Sequence, residues 1–216
     1  MQGPLEGCGN LGTAEADAAP CAESEVALFE KIATSLPEVI LLRPRVFQDA
    51  RGFFFETYHR QKLAELGITS EFVQDNHSRS QRGTIRGLHY QLHHPQAKLC
   101  RVIAGEALDV AVDIRVGSPT FGKFASAVLS AENKIQIYIP RGFAHGFVAL
   151  SETVEFLYKC DDVYTPGDER GVRYDDPAIG IPWGVTDPAL SAKDQTYPLL
   201  KDVSPAELPK YGGATR

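Results

Sequence analysis

Ala107-Leu108-Asp109-Val110-Ala111-Val112-Asp113-Ile114 alternates without a break: Leu108, Val110, Val112 and Ile114 share one parity, and Ala107, Asp109, Ala111 and Asp113 share the other. Successive side chains of a strand point to opposite faces, so this run predicts a β-strand with an aliphatic core face and a second face carrying acids. Upstream, Ala104-Gly105-Glu106 reads as a tight turn, which makes residues 99–103 and 107–114 a hairpin. Downstream, residues 124–129, 135–139, 143–150 and 154–160 repeat the pattern of short apolar, β-branched runs. Val39-Ile40-Leu41-Leu42 begins the series, and Gly, Pro, Asn and Asp separate its members, which is the texture of an all-β sandwich or barrel.

Two helices are expected beside the strands. Residues 59–66 place Leu63 and Leu66 on one side with Gly67 set to end the turn, and residues 25–34 repeat Val26, Phe29 and Ile32 at helical spacing. After Tyr164 the chain is rich in Pro, Gly and Asp and holds Trp183, the sole tryptophan, so irregular segments and a short helical piece should pack on the barrel. Residues 1–25 are rich in Gly, Ala and Glu and offer almost nothing large to bury. The division that follows is a loose extension over residues 1–30 and one domain over residues 31–216.

The 216 residues suffice for one domain with a sizeable core. With 22 Lys plus Arg against 28 Asp plus Glu and no basic cluster, a nucleic-acid backbone would be repelled. Two or three local cations would still hold a small phosphorylated ligand. No apolar run is long enough to span a membrane. Cys8, Cys21, Cys100 and Cys160 have no CxxC spacing and no histidine at a zinc-finger interval, and the sequence opens without a basic region followed by an apolar core. Free thiols and a cytoplasmic setting are expected.

One stretch carries the chemistry. Thr84-Ile85-Arg86-Gly87-Leu88-His89-Tyr90-Gln91, with Lys98-Leu99-Cys100-Arg101 beyond it, puts a guanidinium, an imidazole and an ammonium into strand-like sequence. Buried charge needs an anionic or reactive neighbour, so the segment predicts a base, His89, beside cations that hold an anionic substrate. Parity raises an objection: Arg86 and His89 are an odd number apart and would face opposite sides of a regular strand. Either Gly87 marks a bulge that turns one of them inward, or the two serve different sites.

Pro140-Arg141-Gly142-Phe143-Ala144-His145, entering a strand, resembles the second motif of the cupins, small barrels whose mouths often hold a metal on histidines. The first cupin motif, His-x-His followed by an acid, is absent here, because Tyr90 and Gln91 follow His89 and no acid appears before Glu106. His93 and His94 precede Pro95 and read as loop residues, so no metal site is expected.

Seven motifs occur in one order: Asp49-Ala50-Arg51-Gly52-Phe53-Phe54-Phe55-Glu56; Phe72-Val73-Gln74-Asp75-Asn76-His77-Ser78; Arg86-Gly87-Leu88-His89-Tyr90-Gln91; Asp113-Ile114-Arg115 with Ser118-Pro119-Thr120-Phe121-Gly122; Pro140 to Phe147; Phe156-Leu157-Tyr158-Lys159; and Leu190-Ser191-Ala192-Lys193-Asp194. In this order they resemble the dTDP-4-dehydrorhamnose 3,5-epimerases. The resemblance implies a metal-free, cofactor-independent cupin-type jelly roll, a homodimer with exchanged N-terminal strands, and a dTDP-4-keto-6-deoxyhexose substrate inverted on both sides of its ketone in dTDP-rhamnose biosynthesis. It also implies roles: His89 as base, Asp194 as the carboxylate orienting it, Lys98 at the enolate oxygen, and Tyr158 as the acid of the opposite face. Arg51, Arg86, His145 and Lys193 match phosphate and sugar contacts; Gln74, Asn76 and Glu56 match nucleoside contacts; Tyr164 matches the thymine stack, and Glu169 a further polar contact. Arg51 and Glu56 are expected to reach the neighbouring subunit's site. Asp109 and Asp113 are read as structural. An epimerase of a single centre and a non-epimerising, metal-binding cupin are the alternatives.

Overall fold

The computed structural model describes residues 27–212. Thirteen strands and one helix follow in order: β1 Phe29–Ala33, β2 Ile40–Pro44, β3 Phe47–Asp49, β4 Gly52–Phe54, α1 Arg60–Glu65, β5 Gln74–Gln81, β6 Ile85–Gln91, β7 Lys98–Ala104, β8 Glu106–Asp113, β9 Phe124–Ser130, β10 Gln136–Ile139, β11 Phe143–Ala149, β12 Thr153–Cys160 and β13 Glu169–Gly171. Two short 3₁₀ turns, Leu200–Asp202 and Pro205–Glu207, supply the helical piece expected near the C-terminus. Strands β1-β2-β10-β7-β12-β5 form one sheet and β13-β6-β11-β8-β9 the other, all paired antiparallel. This is the all-β jelly roll expected. The β3–β4 hairpin stands apart from both sheets.

Three apolar clusters explain the burial. Cys100, Val102, Phe147, Val154 and Phe156 fill the space between the sheets, with Phe147 and Phe156 stacked 4.2 Å apart at 3°. The outer face of the five-stranded sheet, carrying Val110, Val112 and Ile114, is roofed by the irregular C-terminal segment through Trp183, Leu200 and Leu208. Trp183 is anchored there by its indole N–H on Tyr174 O at 2.8 Å. On the other sheet, α1 and the loop after it bring Leu63 and Ile68 onto Ile40, Leu42 and Leu99. A sheet covered on both faces accounts for β11, which is buried at every residue.

The hairpin expected from β7 and β8 does not form. These strands, one residue apart, lie in different sheets: β7 pairs with β10 and β12, and β8 with β9 and β11. Gly105, at φ +75°, turns the chain from one layer to the other so close to the start of β12 that a Cβ there would meet Thr153 O at 2.1 Å. Residues 25–34 also depart from expectation. Their described part holds β1, whose ladder with β2 runs from Phe29↔Pro44 to Ala33↔Ile40, so sheet pairing overrides the helical spacing. That strand begins inside the stretch assigned to the extension, while residues 1–26, with Cys8 and Cys21, lie outside the described residues. Cys100 and Cys160 are free and buried. Among the described residues no helix is long and apolar enough to cross a membrane.

The second face of β8 is interior. Asp109 and Asp113 are both 0% exposed. Asp113 sits in a built network: it accepts from Arg115 Nε at 2.9 Å and from Thr120 Oγ1 at 2.6 Å, and Arg115 reaches on to Glu38 at 2.6 Å. Burial pushes this carboxyl up, but Arg115, Ser118 and Thr120 outweigh it and bring it down to about 2. Asp109 has a different surrounding, described next.

Candidate active site

The parity objection resolves at Gly87. His89 pairs with His145 while Arg86 pairs with Phe147, so three residues on β6 span two on β11. A bulge of that kind returns Arg86 and His89 to one face. It needs glycine, because Gly87 has φ +136° and a Cβ would lie 2.5 Å from Gly146 Cα and 2.8 Å from His145 O.

Across the five-stranded sheet the pairing places Ala111, His145, His89 and Gly171 in one row. Two imidazoles are thus flanked by the smallest side chains. Gly171 is required by its neighbour: a Cβ there would touch Tyr197 Cε2 at 2.4 Å, and that ring lies edge-on to His89 with centroids 5.7 Å apart. Tyr197 was not anticipated from sequence, although an aromatic three residues beyond Asp194 shares its turn.

Behind His89 stands Asp194, 2% exposed, with its Oδ1 2.6 Å from Nε2. The turn carrying it is closed by the Asp194 backbone N–H on Ser191 Oγ at 3.1 Å. Burial opposes its charge, but the His89 hydrogen bond leads the interactions that outweigh it and hold the carboxyl below the usual range. The other ring nitrogen, Nδ1, is 3.9 Å from Glu169 Oε1, a carboxylate already paired with Lys193 Nζ at 2.5 Å and with the Tyr164 hydroxyl at 3.1 Å. Nδ1 is therefore the nitrogen left to accept a proton.

Two adjoining cavities, of about 110 and 770 Å³, share His89, Lys98 and Tyr158 in their walls. Tyr164 and Glu169 line the smaller; Arg86, His145, Lys193 and Asp194 line the larger. Lys98 Nζ sits 5.8 Å from the centre of the Tyr158 ring. Burial first, then the neighbouring thiols, pushes the Tyr158 phenol up to about 12, so its proton is held at neutral pH. A base backed by a carboxylate, a protonated phenol and an ammonium in one cleft can move protons at a carbon beside a carbonyl.

Of the nucleoside candidates, two adjoin the cleft through Tyr164: Gln74 Oε1 accepts from Tyr164 N at 2.8 Å, and Gln74 Nε2 donates to Asn76 at 3.0 Å. Arg51 and Glu56 do not line these cavities. Arg51 projects from the β3–β4 arm with its side chain 90% exposed against Asp49, and Glu56 pairs with Lys62 at 3.3 Å. Asp109, read as structural, is buried behind His145, with Oδ2 2.9 Å from its Nε2. The imidazoles of the cupin-type metal reading do not converge. Among the described residues the three-donor cluster is Cys100, Asp109 and His145.

A family model of dTDP-4-dehydrorhamnose 3,5-epimerase matches residues 33–202. The dTDP-4-dehydrorhamnose 3,5-epimerase of Pseudomonas aeruginosa is 56% identical over 163 residues, covering 74% of this chain and 90% of that protein. The Salmonella typhimurium enzyme of the same name is 54% identical over 172 residues, covering 78% and 94%. Among solved structures, a dTDP-6-deoxy-D-glucose-3,5-epimerase from Legionella pneumophila in complex with dTDP-4-keto-L-rhamnose superposes with a TM-score of 0.83 at 48% identity, covering 86% of this chain and all of that one. With the jelly roll, the bulged strand and the cleft already in place, these similarities lead to one conclusion: the chain belongs to the dTDP-4-dehydrorhamnose 3,5-epimerase family, a family of isomerases.

Proposed function

We propose that this chain converts dTDP-4-dehydro-6-deoxy-D-glucose to dTDP-4-dehydro-L-rhamnose by inverting C5 and C3 through an enolate. The reading is carried by the pairing of His89 with Asp194 in the cleft that Tyr158 and Lys98 also line. His89 Nδ1 takes the proton from the carbon beside the ketone, and Asp194 stabilises the imidazolium formed. The electron pair moves onto the ketone oxygen, where the Lys98 ammonium offsets the charge; one donor of this kind is worth roughly 3 kcal/mol. Tyr158 delivers its proton to the opposite face, and exchange with solvent restores both groups. No electron is transferred, so the two inversions need no cofactor.

Arg86, His145 and Lys193 supply the diphosphate and sugar contacts, while Tyr164, half exposed at the mouth, offers a flat face to thymine beside the amides of Gln74 and Asn76. Arg51 and Glu56 serve the site of a second copy. Support for that exchange comes from the β3–β4 arm, which holds Phe47, Phe53 and Phe54 44%, 61% and 69% exposed and whose Arg51 lines neither cavity of its own cleft. The free thiols of Cys100 and Cys160 fit a reducing, cytoplasmic setting.

The test is deuterium incorporation into the keto sugar in heavy water. Two positions should exchange with the wild-type protein and none with His89→Asn, while thymidine diphosphate binding stays within about threefold. Exchange at one position alone would make this a single-centre epimerase. Substantial exchange in His89→Asn would remove the base from its role.

A further inference from the structure

His145 has two buried partners, and one of them keeps an unpaired oxygen. Its Nε2 lies 2.9 Å from Asp109 Oδ2 and 3.9 Å from Cys100 Sγ, and ligating atoms of all three residues fall within 4.8 Å of one another. Cys100 and Asp109 are 0% exposed and His145 is 7% exposed. Asp109 Oδ1 is buried with no hydrogen-bond partner. An unpartnered carboxylate oxygen is among the more costly groups a core can hold, and it sits here beside a soft sulfur and an imidazole nitrogen.

We propose that Cys100, Asp109 and His145 form a binding site for a thiophilic divalent ion, with Zn²⁺ as the type, and that its occupancy inhibits the enzyme. A tetrahedral zinc with bonds of about 2.3 Å to sulfur and 2.0–2.1 Å to nitrogen or oxygen sets S···N near 3.6 Å and N···O near 3.3 Å. The observed 3.9 and 2.9 Å are each within about 0.5 Å of those values, so side-chain rotation suffices. Charge balance agrees: one thiolate and one carboxylate neutralise a divalent ion, which is what a low-dielectric interior tolerates. Three protein ligands leave a fourth position for water, and His145, alone of the three, also lines the larger cavity. A thiolate in the set selects against Mg²⁺ and Ca²⁺.

Binding is a proton exchange. A thiol that forms the S–metal bond gives up its proton, which passes to water. The ion also takes His145 Nε2, whose proton, now held toward Asp109, passes to water or to Nδ1, and the metal-bound imidazole is withdrawn from the substrate cleft. The inhibitory consequence rests on the function proposed above; the binding site does not.

Chelator-treated protein titrated with Co²⁺ should bind one equivalent with a sulfur-to-cobalt charge-transfer absorption, lost on adding Zn²⁺ and absent in Cys100→Ala. Zn²⁺ should inhibit C–H exchange at least tenfold more weakly in Cys100→Ala, each protein being compared with its own metal-free rate. A band that survives the substitution, or no band in the wild type, overturns the site; equal zinc sensitivity overturns the inhibition. X-ray absorption of the zinc-loaded wild type decides the matter without a variant, since one sulfur near 2.3 Å is expected and a shell of nitrogen and oxygen alone refutes it. Absence of exchange in every sample would strike the epimerase reading while leaving the cobalt result intact.

Discussion

Replacing Asp194 by Asn keeps the shape of the turn and removes one charge. The wild-type carboxylate is 2.6 Å from His89 Nε2 and 2% exposed, so little water screens it from the ring. When Nδ1 accepts the substrate proton, the imidazolium forms with its charge centre about 4 Å from that carboxylate. At an effective dielectric constant near 20 the attraction is about 4 kcal/mol, or close to a thousandfold in rate. Asn adds a second effect, because its amide can donate to Nε2 and so move the ring proton to Nδ1, the nitrogen that must accept. The expected result for Asp194→Asn is a fall of about 10³ in kcat for deuterium exchange, with thymidine diphosphate affinity within threefold and thermal stability near wild type, since the hydrogen bond persists in altered form. Exchange within tenfold of the wild-type rate, measured by NMR in heavy water on a folded variant, would show that Asp194 does not support the base.

Further expectations concern the frame around that dyad. Gly87→Ala puts a methyl 2.5 Å from Gly146 Cα at φ +136°, whereas Gly52→Ala meets a similar φ of +125° with nothing within 4 Å; urea unfolding should show the first losing at least about 2 kcal/mol more than the second, and equal losses would dismiss the close approach. Asp113, held down to about 2 in the folded chain, contributes stability that is complete above the ordinary carboxylate range and lost as pH falls toward 2. The term is about 2 kcal/mol, so the gap in unfolding free energy between the wild type and Asp113→Asn should narrow by that amount between pH 5 and 2, in the window near about 4 to 2; a gap independent of pH would contradict the pairing with Arg115. Phe53→Asp with Phe54→Asp should leave a monomer by sedimentation with weakened substrate binding, and an unchanged assembly would detach the arm from the dimer.

What the sequence made legible was local. Strands β9 to β12 and the helix before Gly67 appear where short-range patterning puts them, because alternation and the helix stop signal act within a few residues. The two-option reading of Gly87 was also local, since parity alone requires either a bulge or two sites. Layer assignment was not. The single residue between β7 and β8 looks the same whether the chain folds back on itself or crosses to the opposite sheet, and only contact with the start of β12 almost fifty residues on, at Thr153, distinguishes the two. His89 and Asp194, 105 residues apart, meet through the C-terminal segment, and only the ordered motifs pointed to that meeting.

The face of β8 carrying Ala107, Asp109, Ala111 and Asp113 carries the broader lesson. Alternation marks its aliphatic partner face as core, and that face is buried, but against the C-terminal roof rather than the opposing sheet. The small and acidic face is the one turned inward, where Ala111 beside His145 leaves the width an imidazole needs and Asp109 supplies its hydrogen bond. A barrel that must hold a polar ligand cannot line its interior with Leu and Val at every position, since those side chains would fill the space and leave charged groups unpaired. A strand that alternates large aliphatic residues with alanine and aspartate is therefore a signal for a functional interior, provided that another segment is available to cover the aliphatic side. Here the Trp183-bearing segment after β13 provides that cover, and the same segment brings Asp194 to His89, so the packing that makes the inward face affordable to fold also completes the dyad.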